Sequence, residues 1–125
     1  MSRNITVFGI PNCDTVKKSR VWLQEQGLDF EFYDVKKQGL DQTTVRAWLA
    51  FVPLDLLINR KGTTWRALSD EQKALAADTE SAIPLILSNP SLIKRPVLQM
   101  KNSDHMGHVS VGFSPDQFQK IFENK

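Results

Sequence analysis

Ile5–Phe8 is a short apolar, β-branched run that stops at Gly9 and Pro11, and a helical pattern follows almost at once. From about Asp14 to Gln26, Val16, Ser19 and Leu23 fall on one face with Trp22 beside them, while Lys17, Lys18 and Glu25 face water. Gly27 is a natural helix stop. Leu28 to Val35 then places Leu28, Phe30 and Phe32 on one side with period two, the pattern of a strand. Strand, helix and strand within about 30 residues make a βαβ unit, right-handed by rule. A first strand apolar throughout reads as buried on both faces, as in a parallel sheet. This opening commits the chain to an α/β layer.

Gly39 breaks the pattern. Asp41 then caps a helix carrying Val45, Trp48, Leu49 and Val52, which stops before Pro53. The stretch INRKGTTWRAL is polar and turn-like around Gly62. Ser69 and Gln72 have capping-box spacing ahead of a helix in KALAAD. Ser81 to Asn89 reads as another short helix, with Pro84 tolerated in its first turn. Val97–Met100 and Val109–Phe113 read as strands joined by the polar segment KNSDHMGH, hence an antiparallel hairpin. Ser114, Pro115 and Gln117 supply an N-cap, a first-turn proline and a capping box for a last helix with Phe118, Ile121 and Phe122. The expected order is β-α-β, a helical insert at about 40–92, then β-β-α, in one domain over 1–125.

Composition narrows the function classes. A chain of 125 residues suffices for one core. A formal net charge of +2 is too small to argue for a nucleic-acid partner. The longest apolar runs, such as that around Ile83 to Leu87, are too short to span a bilayer. The start, MSRNITVFG, lacks the apolar stretch of a signal peptide. A single cysteine excludes an intramolecular disulfide and a cysteine-rich zinc site, and it suits a reducing, cytoplasmic setting. His105 and His108 flank Met106 in what reads as a solvated loop rather than a metal site. Trp22, Trp48 and Trp65 read as core rather than as a base-stacking platform.

The single cysteine, Cys13, sits in GIPNCDTVKKSRVWL, between a buried strand and a helix start. The first backbone N–H groups of a helix have no intrahelical partner and carry roughly half a positive charge. A thiolate placed there accepts those bonds and is favoured over the thiol. Lys17 and Lys18 add positive charge one turn along, and Asp14 opposes it. The alternative is an inert buried thiol, since free cysteine is among the most buried residue types. A loop flanked by Pro11, Asn12 and Asp14 is a poor place for a core residue. Ligands of open sheets bind at the carboxyl ends of strands.

GIPNCDTVKKSRVWL, INRKGTTWRAL and IKRPV, in this order and spacing, resemble the arsenate reductase (ArsC) family, in particular its YffB-like branch, related to the Spx regulators. The resemblance runs from Ile5 to about Phe122. It implies a thioredoxin-like fold with an inserted helical region. It also implies a catalytic set of Cys13, Arg60 and Arg95, in which the cysteine attacks and the arginines cradle an oxyanion or stabilise the thiolate. Asn12, Asp14, Thr15, Lys17, Arg66 and Pro96 are the implied substrate-binding positions, with Arg95–Pro96 matching the cis-proline bond of the fold. Arg66 reads equally well as part of a turn that closes onto a helix and packs Trp65 in the core.

Two departures shape the functional expectation. The arginine that arsenate reductases carry before the final helix is replaced by Ser114. Spx regulators carry a second cysteine three positions after the first, and here that position is Val16. A Cys13 adduct must then be resolved by an outside thiol, with glutathione or a glutaredoxin as partner and glutathione as co-substrate. No bound cofactor and no metal are expected. The implied activity is a glutathione-dependent thiol reductase acting on an oxyanion or disulfide. The alternatives are an Spx-like regulator that binds RNA polymerase and a true arsenate reductase.

Overall fold

The computed structural model of the chain describes residues 4–102 and 105–123. In chain order the elements begin with strand β1 (Asn4–Gly9), helix α1 (Asp14–Glu25), strand β2 (Glu31–Asp34), and helices α2 (Val35–Gln38) and α3 (Gln42–Leu49). Helices α4 (Leu54–Leu57), α5 (Thr63–Arg66), α6 (Asp70–Ala74) and α7 (Thr79–Ser88) follow, then strands β3 (Val97–Asn102) and β4 (His105–Val111) and helix α8 (Pro115–Glu123). They form two compact units. One is Met1–Asp34 with Arg95–Lys125, and the other, inserted between those halves, is Val35–Lys94.

The first unit is built on a four-stranded sheet in the order β2-β1-β3-β4. β1 runs parallel to β2 and antiparallel to β3, and β3 is antiparallel to β4. This is the expected α/β, thioredoxin-like order of β-α-β followed by β-β-α. One sheet face presents Ile5, Val7, Leu98 and Met100 to Leu23 of α1 and to Phe118 and Phe122 of α8. Leu28, Phe30 and Phe32 pack against the same cluster, as their period-two spacing predicts. Only Glu31–Asp34 belongs to the β1 ladder, which runs from Thr6↔Glu31 to Gly9↔Asp34. The expected strand Leu28–Val35 is therefore shorter, and Val35 already starts α2.

Local signals at helix ends hold well. Gly27 has φ +70°, Leu28 N–H donates to Leu23 O at 3.0 Å and Gly27 N–H to Gln24 O at 3.0 Å, the double bond of a left-handed stop. Gln117 N–H donates to Ser114 Oγ at 3.0 Å, the expected N-cap, but the Gln117 amide donates to Val111 O at 3.0 Å rather than closing the expected capping box, and so fastens α8 to the end of β4.

In the inserted unit, the Asp41 side chain accepts from Thr44 N–H at 2.8 Å, a bond that holds its carboxyl below the usual range. Ser69 and Gln72 close their capping box, but the helix they start is Asp70–Ala74, followed by a 3-10 turn over Leu75–Ala77. α3 ends at Leu49 rather than running on to Val52, and Pro53 caps the next short helix. α7 starts at Thr79, capped by Asp78, so Pro84 lies inside the helix rather than in its first turn. Its missing N–H leaves one turn of the helix ladder unbonded, on an exposed position. Ile58 bridges Ile93, and Lys94 N–H donates to Leu57 O at 2.7 Å.

The hairpin differs most from expectation. β3 and β4 extend to Asn102 and back from His105, with a register shift between Met100 and Lys101. His105 and His108 therefore lie in a strand and not in a loop, while Ser103 and Asp104 of the expected connection lie outside the described residues. His108 stands opposite Met100, a member of the core. Its Nε2 is buried without a hydrogen-bond partner, and burial pushes its pKa down from the ordinary value.

A group with a lowered pKa in the folded state favours folding above its unfolded pKa, about 6.5 for histidine, and that contribution fades as pH falls. Replacing His108 with Asn should flatten the acid limb of stability below about pH 6.5. Urea midpoints of the two proteins between pH 7.5 and 5 measure this, and a gap that stays constant over that interval would refute the assignment.

Candidate active site at Cys13

β1 delivers the chain to Gly9, and the turn that follows is dictated by its residues. Pro11 and Asn12 are strong turn formers, and Cys13 N–H closes the turn on Ile10 O at 3.2 Å. Cys13 is then the N-cap of α1, with φ −92° and ψ 123°, and its carbonyl accepts from Lys17 N–H at 2.9 Å. Its side chain makes no capping hydrogen bond. A cysteine thus occupies the N-cap position, where Ser, Thr, Asp and Asn are the usual residues. Cys13 and Thr15 are half-buried, whereas Asn12, Asp14, Lys17 and Lys18 are exposed.

The sheet register brings further residues to this end. Phe8 pairs with Val97, so the chain leaving β1 and the Arg95–Pro96 segment entering β3 share one end of the sheet. The Arg95–Pro96 bond is cis, and Pro96 O accepts from Gly112 N–H at 2.8 Å. Val97 pairs with Val111, so the turn after β4 reaches the same end. Asn12, Cys13, Asp14, Thr15, Lys17, Arg95 and Pro96 thus belong to one end of one sheet. Arg95 is half-buried and Pro96 is buried.

Arg60 and Arg66 belong to the inserted unit. Within it Arg60 pairs with Asp55 at 3.2 Å and lies over the Trp65 ring at 5.3 Å, where Lys73 also sits at 5.9 Å. The Arg60 side chain is 41% exposed, so its ion pair is a weak surface one. Arg66 is in α5, and its Nε donates to Gly62 O at 3.4 Å. The turn around Gly62 does close onto a helix, but Trp65 is half-buried under two cations rather than packed in the core. Trp48 is fully buried, and Trp22 packs edge-on against Phe118 at 5.6 Å.

Sequence reasoning passed over Arg20. Its guanidinium lies over the Phe32 ring at 4.2 Å and its Nε is buried. The available signal was its spacing four after Val16, which turns it toward β2. Among the described residues no group of three or more His, Cys, Asp and Glu is placed to hold a metal ion, and no helix is long and apolar enough to cross a membrane.

A mixed α/β fold of this order, with a lone cysteine capping the first helix and a cis-proline opening the third strand, defines a thioredoxin-like protein. Residues 8–121 match the model of the ArsC family, and the chain belongs to that family. It is similar to the solved YFFB protein, at 40% identity and a TM-score of 0.80 over 94% of this chain and 97% of that one. It is also similar to an arsenate reductase (ArsC) related protein from Brucella melitensis, at 43% identity and a TM-score of 0.70 over 96% and 95% of the two chains. The global transcriptional regulator Spx of Streptococcus agalactiae is 27% identical over 90% of this chain and 79% of its own.

One contact fixes where Cys13 emerges. A Cβ at Gly9 would stand 2.7 Å and 3.0 Å from the two methyl carbons of Val16, which is fully buried. Overpacking of this kind typically costs about 1–3 kcal/mol. Gly9→Ala should lower stability by about that much, and Gly9→Ala with Val16→Ala should cost less than the sum of the two single changes. Urea denaturation of the four proteins measures it; strict additivity would mean that the two positions do not touch.

Proposed function

We propose that the protein is a thiol-dependent reductase in which Cys13 is the nucleophile and glutathione supplies the electrons. The observation that carries this reading is the half-buried free Cys13 at the N-cap of α1, with no capping bond of its own and at the sheet end where Arg95–Pro96 enters. Lys17 supplies positive charge from the next turn, and Asn12 and Thr15 offer polar groups beside it. Arg95, which enters β3 at the same sheet end, gives a cation that would hold the thiolate or an anionic substrate. Family membership supports the reductase class.

The cycle balances with one protein thiol. The Cys13 thiolate attacks a disulfide, forming a mixed disulfide and releasing one thiolate. The chain has one cysteine, so an external thiol must attack that adduct, restoring Cys13 and carrying away the second sulfur in a new disulfide. Glutathione, directly or through a glutaredoxin, fits this role. Arsenate is the less favoured substrate, because Ser114 occupies the place of an oxyanion-holding arginine.

Exposure of the native protein to oxidised glutathione should add one glutathione at Cys13 within minutes, read by intact-protein mass spectrometry. Reduced glutathione should reverse it, and Cys13→Ser should abolish it. A native protein that stays unmodified under these conditions would overturn the reading.

The similarity to Spx supports a second reading, a regulator that docks on RNA polymerase. A stable complex with purified polymerase, unchanged by Cys13→Ser, would favour it; absence of binding would remove it.

A further inference from the structure

Beside α1 runs a groove of about 460 Å³, lined by Lys17, Lys18, Val21, Trp22, Glu25, Phe113 and Pro115. Its floor is apolar and aromatic, and it is open to solvent along its length. Val21 is 49% exposed, a large aliphatic side chain without a cover. Phe113 is held edge-on against Phe118 at 4.7 Å, so the far wall is fixed by the core. Lys17, Val21 and Glu25 follow Cys13 at steps of four along the helix, and residues at that spacing share one face. The groove therefore begins one helical turn along the chain from Cys13. Both of its cations stand at that near end, and its carboxylate at the far end.

Glutathione has no hydrophobic side chain to cover Val21, so the glutathione chemistry alone leaves this lining unexplained. We propose that the groove seats an extended segment of a protein substrate. An acidic side chain of that segment meets Lys17 and Lys18, and an aliphatic or aromatic one covers Val21 between Trp22 and Phe113. The substrate class is then a protein–glutathione mixed disulfide. The inference rests on Cys13 being the nucleophile argued above. The Cys13 thiolate attacks the glutathione sulfur, the protein–glutathione bond breaks and the protein leaves as a thiolate. A second glutathione then attacks the Cys13–glutathione disulfide, releasing oxidised glutathione and the Cys13 thiolate.

Geometry sets the recognition pattern. Lys17 and Val21 lie about 6 Å and about 12 Å along the helix from Cys13 at 1.5 Å per residue. An extended segment covers those spans in about two and about four residues. The probe is a peptide symmetric about one cysteine, Leu-Ser-Glu-Ser-Cys-Ser-Glu-Ser-Leu, linked to glutathione, which serves both chain directions. Its control carries Lys for Glu and Ser for Leu.

The full-length protein should turn over the acidic, apolar peptide at least about tenfold faster in kcat/KM than the control, the factor that about 1.4 kcal/mol of added binding gives. Val21→Glu should remove most of that preference while leaving exchange with oxidised glutathione unchanged. Equal rates for the two peptides, or an equal loss on oxidised glutathione, would overturn the groove assignment and leave the reductase reading standing. A peptide with Ser in place of the cysteine should shift the Val21 methyl and Trp22 indole resonances. Such binding without reaction at Cys13 on either disulfide would overturn the reductase reading, and the substrate assignment with it. A dimer dissociated by Val21→Glu would mean that a second copy fills the groove, and would overturn the proposal as well.

Discussion

The junction between β1 and α1 depends on one close approach, Gly9 against Val16. The last residue of the strand lacks a side chain, and a stiff β-branched one from the helix fills that space. The helix can therefore start with only four residues between it and the strand, Pro11 and Asn12 forming the turn. That spacing makes Cys13 the cap and not a member of the first helical turn. The register of β1 with β3 then brings Arg95–Pro96 to the same end. Chemistry placed at the ends of rigid elements is held more firmly than chemistry placed on a long loop.

This part of the molecule was legible because every signal in it is local. An apolar run, a proline–asparagine turn, a period of 3.6 and a glycine stop follow one another with no competing reading. Legibility fell where a long-range contact decides. Leu28–Phe30 has the right alternation for a strand but lies outside the β1 ladder. His105 and His108 look like loop residues by composition, yet pairing with β3 makes them strand. At α7 the stronger cap was Asp78, whose side chain accepts from both Glu80 and Ser81 N–H groups. The apolar pattern from Ser81 hid that earlier start.

The arginines show what sequence motifs leave open. A motif assigns a charge to a position but not its resting partners. Arg20 rests on Phe32, and Arg60 rests on Trp65 with Asp55 beside it. Such contacts cost an arginine little of its binding capacity, because a guanidinium offers its edge to oxygens while its face lies on a ring. The Asp55 pair is exposed, and an anion that offers two oxygens competes with it on favourable terms. The engaged state of Arg60 is therefore compatible with anion binding.

Val16 governs the packing beside Cys13. It is the position that carries the second cysteine in Spx regulators, and here both of its methyl groups close on the Gly9 site. A cysteine has one heavy atom where valine has two, so it would leave part of that space empty, a loss of contact that buried sites feel. The valine thus tightens the strand–helix junction that positions Cys13. The valine leaves Cys13 as the single thiol of the chain, half-buried at a helix start with an open groove beside that helix.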